Sequence, residues 1–145
     1  MTINNFLLLT SILLVSNLFA CGEKEKPTVY IELEHERGNQ NYYYLLFPKE
    51  FKETDFDGAS IALYEKEEIL VSVGMDTTLI TPDREFLFNK YGHGYISDMW
   101  IAKEIEPNAR ITIAYRMRPN NNGLIPACVD WFEYKFSELE RIESD

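Results

Sequence analysis

Apolar and polar residues alternate along much of the chain after residue 28. Val29, Ile31 and Leu33 alternate with Tyr and Glu residues, which is the period of a β-strand with one buried face. The alternation is clearest over residues 110–118, where isoleucine, tyrosine and methionine point one way and arginine, threonine and alanine the other. The pattern therefore predicts a half-buried strand at both places.

Further strands are predicted from shorter apolar runs that are separated by turn signals. They cover residues 42–47, 61–63, 69–73 and 129–136, with weaker candidates at 77–81 and 85–88. Residues 97–106 fit a helix or a strand equally well. Ser137 can begin a short terminal helix through a capping box with Glu140, and the alternative there is a frayed tail. About seven strands with frequent turns favour a mostly β fold, either a single antiparallel β-sandwich or an open barrel, with one short helix.

The first 22 residues differ from the rest of the chain because they carry no charged side chain. Residues 6–20 include 11 apolar residues in 15, and Glu23 is the first charged residue. A hydrocarbon core of about 30 Å needs about 20 apolar residues in a helix, so this run is short for a permanent membrane span. Its length suits the apolar core of a secretory signal.

The residues that end this apolar run resemble the lipobox of bacterial lipoproteins. Leu18, Ala20 and Cys21 match the leucine, the small residue and the invariant cysteine of that motif, whereas residues 1–5 depart from such signals in lacking Lys or Arg. The resemblance implies that Cys21 receives a diacylglyceryl group and that signal peptidase II cleaves before it. Gly22 after the cysteine resembles the signals that direct a lipoprotein to the outer membrane of a Gram-negative bacterium.

This resemblance divides the chain into a signal peptide at residues 1–20, the lipidated Cys21 with a short tether to residue 27, and a β-rich globular domain at residues 28–145. Two or more acyl chains hold a protein stably at a bilayer, so the lipid bilayer is the first expected partner. The expected location is the cell envelope, at the outer membrane. The alternative is an uncleaved N-terminal helix in which the cysteine is coincidental.

The chain is acidic, with 14 Lys and Arg against 24 Asp and Glu and a formal net charge of −10. Phosphate binding needs clustered Lys and Arg, so nucleic acid is not an expected partner. The sequence contains no nucleophile elbow, no Walker loop and no dinucleotide-binding glycine loop. We therefore expect a protein that is not an enzyme and that uses no cofactor and no metal.

Three residues are candidates for binding a small ligand or a cation. His93 stands between two glycines, but no second His or Cys lies at metal-ligand spacing from it, so a plain exposed loop is the alternative. Asp55 and Asp57 precede Gly58 as in a calcium loop, although the glycine falls at the fourth position and not the sixth. An ordinary Asp-Gly turn explains that pattern equally well.

Arg110, Arg116 and Arg118 place three of the six arginines on one face of the strand predicted at residues 110–118. Their guanidinium groups could bind an acidic loop of a partner or an anionic glycan, because they bind carboxylates bidentately. The alternative is pairing across strands with Asp130 or Glu133, or with an acidic neighbouring strand. Aromatic residues suit either a large core or a protein-binding patch. They are Tyr42, Tyr43, Tyr44, Tyr91, Tyr95, Trp100 and Trp131.

Taken together, the anchor, the short tether and the acidic domain predict a lipoprotein that binds another envelope protein, as an accessory, inhibitor or immunity-type module. The alternative function is binding of a small ligand, a cation or a glycan through Asp55, Asp57 and His93.

Overall fold

Ten strands, one α-helix and two 3-10 turns make up the part of the chain that the structure describes, residues 25–117 and 128–142 of a computed structural model. The strands are β1 (Tyr30–Arg37), β2 (Gln40–Pro48), β3 (Glu50–Phe51), β4 (Thr54–Glu65), β5 (Glu68–Gly74), β6 (Thr78–Leu79), β7 (Gly94–Ala102), β8 (Ala109–Met117), β9 (Val129–Lys135) and β10 (Glu140–Arg141). The helix is α1 (Glu85–Tyr91), and the 3-10 turns cover Glu106–Asn108 and Phe136–Glu138.

The strands form two five-stranded sheets. The first sheet has the order β10-β1-β2-β7-β6. In the second sheet β4 pairs with β8 and β8 with β9, while β3 and β5 pair with the two ends of β4 along its other side. The described strand pairs are antiparallel except that of β1 with β10, which is parallel. The predicted mostly β fold, arranged as a sandwich, is confirmed.

The core lies between the two sheets, because inward and outward residues alternate along the strands. Ile31 and Leu45 of the first sheet and Ile111, Ile113 and Tyr115 of the second are at most 1% exposed. Each fully buried side chain of this size stabilises the fold by about 1.5–3 kcal/mol relative to an exposed one. The same alternation places the next residue of each strand on an outer face of the sandwich, where a partner can reach it.

The helix α1 packs on the outer face of the first sheet. Lys90 forms an ion pair with Glu32 of β1, and the Tyr91 ring lies 6.3 Å from the Tyr44 ring of β2. Residues 85–88, which the sequence marks as a weak strand candidate, belong to this helix. Glu85 in the first turn and Lys90 in the last turn complement the helix dipole, and packing on the sheet adds to this small effect.

The C-terminal segment differs from its prediction. Instead of a helix beginning at Ser137, the chain makes one 3-10 turn in which the Glu138 carboxylate accepts a hydrogen bond from the backbone N–H of Lys135 at 2.7 Å. The chain then joins the first sheet as β10, next to β1.

The number of long strands agrees with the prediction of about seven. Seven of the ten described strands have seven or more residues, and the other three have only two.

The predicted signal peptide, Cys21 and Arg118 lie outside the described residues. Within the described ranges, no helix has the length and apolar character needed to cross a membrane.

The described end of the predicted tether lies against the sandwich. Pro27 is buried, its carbonyl accepts a hydrogen bond from the Tyr134 hydroxyl at 2.6 Å, and Lys26 donates one to the backbone carbonyl of Glu133 at 2.7 Å.

Candidate functional site

The outer face of the second sheet carries the arginines that the sequence singles out. Because Ile111, Ile113 and Tyr115 point into the core, the alternate residues of β8 point outward. Strand register places outward residues of β4 and β9 beside them. We call this surface the Trp131 face, and it consists of Asp55, Asp57, Gly58, Ser60, Ala62, Tyr64, Arg110, Thr112, Ala114, Arg116, Val129, Trp131, Glu133 and Lys135.

Trp131 is an exposed large apolar side chain of this face, at 68% exposure. It stands on β9 directly opposite Ala114 of β8, and Ala114 is in turn opposite Gly58 of β4. Because Ala114 and Gly58 have a methyl group and no side chain, respectively, the Trp131 indole projects beyond these two neighbours. An indole held on the rigid sheet in this way is available to a partner without rearrangement of the backbone.

Arg110 lies on one side of Trp131, in the centre of a polar cluster. Its guanidinium donates to the carboxylates of Glu133 at 2.9 Å and Glu67 at 2.7 Å, and its Cζ lies 4.0 Å from the centre of the Tyr64 ring. The Tyr64 hydroxyl donates to the other oxygen of Glu133 at 2.7 Å. Hydrogen bonds from Tyr64 and Arg110 lower the pKa of the Glu133 carboxyl, and those that Arg110 donates to Glu67 and Glu133 raise the pKa of its guanidinium.

Arg116 lies on the other side of Trp131 and binds Asp57 bidentately, through Nε at 3.0 Å and Nη2 at 2.9 Å. A register shift between Phe56 and Gly58 interrupts the regular pairing of β4 with β8 at this point. The sequence assigned Asp57 and Arg116 to different candidate sites, and the structure joins them in one ion pair. The hydrogen bonds to Asp57 raise the pKa of Arg116 and use the two adjacent N–H groups of its guanidinium.

The remaining two ligand candidates are placed differently from each other. Asp55 lies directly opposite Arg116 of β8 on one side and opposite Glu50 of β3 on the other, so it shares the outer face with the Arg116–Asp57 pair. His93 is exposed just after α1, its ring packs edge-on against Phe88 at 4.9 Å, and it lines a depression of about 390 Å³. Among residues 25–117 and 128–142, no three His, Cys, Asp or Glu side chains are arranged to hold a metal ion.

A second aromatic surface lies on the outer face of the first sheet. The Tyr42 ring is 4.9 Å from Trp100, 5.5 Å from Tyr44 and 5.8 Å from His35, measured between ring centroids. The Tyr42 hydroxyl donates to Asp98 at 2.5 Å, and this hydrogen bond raises the pKa of Tyr42. We call these five residues the Tyr42 cluster.

Trp131 is the residue that the sequence did not separate from the other aromatics. A signal for it exists, because Trp131 alternates with Phe132 and Tyr134, and two aromatics on one face of β9 fix that face as the inward one. No family model, curated protein or solved structure matches the chain. The features that bear on function are therefore the side chains of the Trp131 face and of the Tyr42 cluster.

Proposed function

We propose that this chain is a lipid-anchored protein of the bacterial cell envelope that binds another protein through the Trp131 face, and that it is not an enzyme. The observation that carries the binding proposal is the exposed Trp131 between two arginine ion pairs. Trp and Arg are the residue types that contribute most to protein–protein interfaces, when a central aromatic fills a pocket and polar residues surround it.

The charges of this face define the kind of partner. Arg110 and Arg116 already bind carboxylates of this chain, so the partner need not supply acidic groups for them. The net charge of −10 attracts a basic partner and speeds its association. The best fit is therefore a basic protein with an apolar pocket for the indole and polar groups around that pocket.

The anchor would hold the Trp131 face close to the membrane. From Cys21 to Glu25 an extended chain reaches at most about 14 Å. Lys26 and Pro27 bind β9, the strand that carries Trp131. If Cys21 is acylated, β9 stays beside the lipid headgroups, and the partner must be a membrane protein or a protein held at the membrane surface.

A photo-crosslinking experiment tests the binding proposal. A photoreactive residue replaces Thr112, which lies beside Trp131 on the same face, and the full chain is irradiated in the intact envelope. We expect one specific adduct. Trp131→Ala should abolish it, because loss of a central interface tryptophan costs about 2 kcal/mol or more, which is about 30-fold in Kd.

The matched control is Trp100→Ala, since Trp100 is a partly exposed tryptophan on the opposite outer face, in the Tyr42 cluster. That variant should leave the adduct unchanged. An adduct that survives Trp131→Ala would contradict the role of the indole. Absence of any specific adduct from residue 112 would overturn the proposal.

The anchor has a test of its own. Cys21→Ser should abolish membrane attachment and the precursor that accumulates when signal peptidase II is inhibited by globomycin. A thioether to lipid also uses the Cys21 sulfur, so the lipidated chain cannot join Cys21 to Cys128 by a disulfide, and the mass of the purified protein distinguishes the two states. Membrane retention that is unchanged in Cys21→Ser would refute lipidation.

The Tyr42 cluster supports a second candidate function, the binding of a cation or a glycan. Exposed aromatic faces attract cations through their quadrupole, and Asp98 adds a carboxylate at the same place. Thermal unfolding in a panel of calcium, zinc, a quaternary ammonium compound and oligosaccharides tests it. We expect a rise in Tm that Trp100→Ala removes, and a Tm that no member of the panel changes would reject it.

A further inference from the structure

One row of side chains crosses the outer face of the first sheet from β1 to β7. Strand register places Glu32 of β1 opposite Tyr44 of β2, and Tyr44 opposite Asp98 of β7. Residues that lie opposite each other point to the same face of a sheet, so an aromatic side chain stands between two carboxylates. We call these three residues the Glu32 row. Two of them, Tyr44 and Asp98, also belong to the Tyr42 cluster.

The Glu32 end of this row already holds an ammonium group. Lys90 of α1 binds the Oε1 oxygen of Glu32. The same Nζ lies 5.7 Å from the centre of the Phe86 ring and 5.6 Å from that of the Tyr91 ring. A carboxylate next to aromatic rings attracts an alkylammonium group both by its charge and by the quadrupole of the rings. The lysine of the chain itself thus shows which chemical group this place accepts.

Lys90 leaves two buried polar atoms of this interface unpaired. Glu32 is 1% exposed, and its Oε2 oxygen accepts no hydrogen bond from the described residues. The Tyr91 hydroxyl, on the residue that follows Lys90, is also buried and has no partner among them. Buried polar groups without partners are costly, so a ligand that supplies donors here gains free energy that the chain alone does not.

Exchange of one ammonium group for another keeps the buried charge compensated. The Lys90 side chain is 30% exposed, so its ammonium group can turn toward water while α1 stays in place. An ammonium group of a ligand then neutralises Glu32 instead. Because it has three N–H donors and is not attached to the helix, it can turn toward the Oε2 oxygen that Lys90 does not reach.

The separation of the two carboxylates selects the ligand. Neighbouring strands are about 4.8 Å apart, so the backbones of Glu32 and Asp98, two strands apart, are separated by about 10 Å. The oxygen ligands of one calcium ion lie within about 2.6 Å of it, and the Tyr44 side chain stands between these two residues. A molecule with a positive charge at each end and an apolar middle fits this spacing.

We infer that the Glu32 row binds a linear aliphatic diamine, with one ammonium group at Glu32, the other at Asp98 and the methylene chain along Tyr44. Asp98 is exposed, and its carboxylate accepts from the Tyr42 hydroxyl through Oδ2 with capacity left for an ammonium group. The net charge of −10 attracts a dication. This inference rests on the second candidate function, binding of a cation at the Tyr42 cluster, and names the class of ligand.

Titration calorimetry of the full chain in neutral detergent with matched six-carbon compounds tests the inference. Diaminohexane should bind. Hexylamine has the same chain with one ammonium group and should bind about fivefold more weakly, because it lacks one exposed ion pair. Ethylenediamine, which is too short to reach both carboxylates, should bind no better than hexylamine. Hexanediol, with the same chain length and no charge, should not bind.

Two variants locate the site on the protein. Asp98→Asn should remove the preference for diaminohexane over hexylamine, because it removes the carboxylate at one end of the row. Glu68→Gln is the matched control, since it makes the same change of charge at an exposed residue of the second sheet, and it should keep the preference. Asp98 is exposed, so the result does not depend on a change in the core.

Lys90→Met provides a second measurement, because it removes the internal ammonium group that competes for Glu32. Diaminohexane should raise the Tm of this variant more than that of the parent, since the ligand then compensates a buried carboxylate that has lost its partner. An equal or smaller rise in Lys90→Met would contradict exchange at Glu32.

Two further outcomes would overturn the inference: equal binding of diaminohexane, hexylamine and hexanediol, or a preference for diaminohexane that survives in Asp98→Asn. If a quaternary ammonium compound or an oligosaccharide raises the Tm and diaminohexane does not, the diamine is wrong and the second candidate function stands. If none of them does, both are wrong. The adduct expected from residue 112, on the other sheet, is independent of all these results.

Discussion

Glu32 of β1 and Lys90 of α1 form an ion pair in which the carboxylate is almost fully buried, with 1% of the Glu32 side chain exposed and 30% of Lys90. One oxygen of this carboxylate, Oε1, binds the ammonium group, and the other, Oε2, has no hydrogen-bond partner among the described residues. A buried carboxylate is costly unless a positive charge compensates it. The ion pair therefore ties α1 to the outer face of the first sheet.

Lys90→Met should destabilise the fold strongly, by about 3 kcal/mol, because it leaves the Glu32 charge buried and unpaired. The double variant Glu32→Met with Lys90→Met should recover most of this loss, since two apolar side chains need no compensation. Urea unfolding of the three proteins measures the difference. Equal stability of the single and the double variant would contradict the role of the ion pair.

The Arg110 cluster should make stability depend on pH in the acidic range. The folded protein lowers the pKa of Glu133 below its ordinary value of 4.5, so folding favours the ionised carboxylate. This contribution is fully present above pH 4.5 and is lost as the pH falls through the folded pKa. The free energy of unfolding should therefore decrease on acidification, and the decrease should be smaller in Glu133→Gln than in the parent.

Tyr64→Phe provides the control for that assignment, because the Tyr64 hydrogen bond is the largest cause of the lowered pKa. The slope of unfolding free energy against pH below 4.5 should lie between those of the parent and Glu133→Gln. If Glu133→Gln kept the slope of the parent, the pH dependence would have to come from other carboxylates.

Gly94 is required by the close approach of β2 to β7. A methyl group at this position would lie 2.7 Å from the backbone oxygen of Phe47, a contact that side chains do not tolerate. Gly94→Ala should therefore cost about 1–3 kcal/mol of stability, the usual range for overpacking. Gly74→Ala is the matched control, because a methyl group there meets nothing within 4 Å. Equal stability of the two variants would show that the strands can separate at no cost.

How far the sequence predicts this structure depends on the length of each strand. The alternation over residues 110–117 is long enough to fix both the strand and its inward face, and the structure confirms both. Strands β3, β6 and β10 have two residues, so no period can be read from them. The short helix α1 depends on the tertiary ion pair between Glu32 and Lys90, which connects residues 58 positions apart.

The candidate site was only partly predictable for the same reason. Pairing of Arg110 with Glu133 was one of the alternatives that the sequence left open, and it follows from neighbouring strands. The Arg116–Asp57 pair requires the register of β4 against β8 and the shift at Gly58, which sequence alone does not give. All seven residues of β5 are exposed, and this exposure depends on which strands lie at the edge of a sheet, which is a property of the whole topology.

The Tyr134 hydroxyl should hold the segment that leads to the predicted anchor. It donates to the carbonyl of Pro27 at 2.6 Å, whereas the hydroxyl of Tyr115 makes the same contact with Pro48 in the core. Tyr134→Phe and Tyr115→Phe should each cost about 1 kcal/mol, the usual net value of one hydrogen bond. Only Tyr134→Phe should speed amide hydrogen exchange at Glu140, whose N–H donates to the Val29 carbonyl at 2.9 Å, because only that hydroxyl binds the N-terminal segment. Equal exchange in the two variants would mean that the contacts of Lys26 and the burial of Pro27 hold the segment without this hydrogen bond.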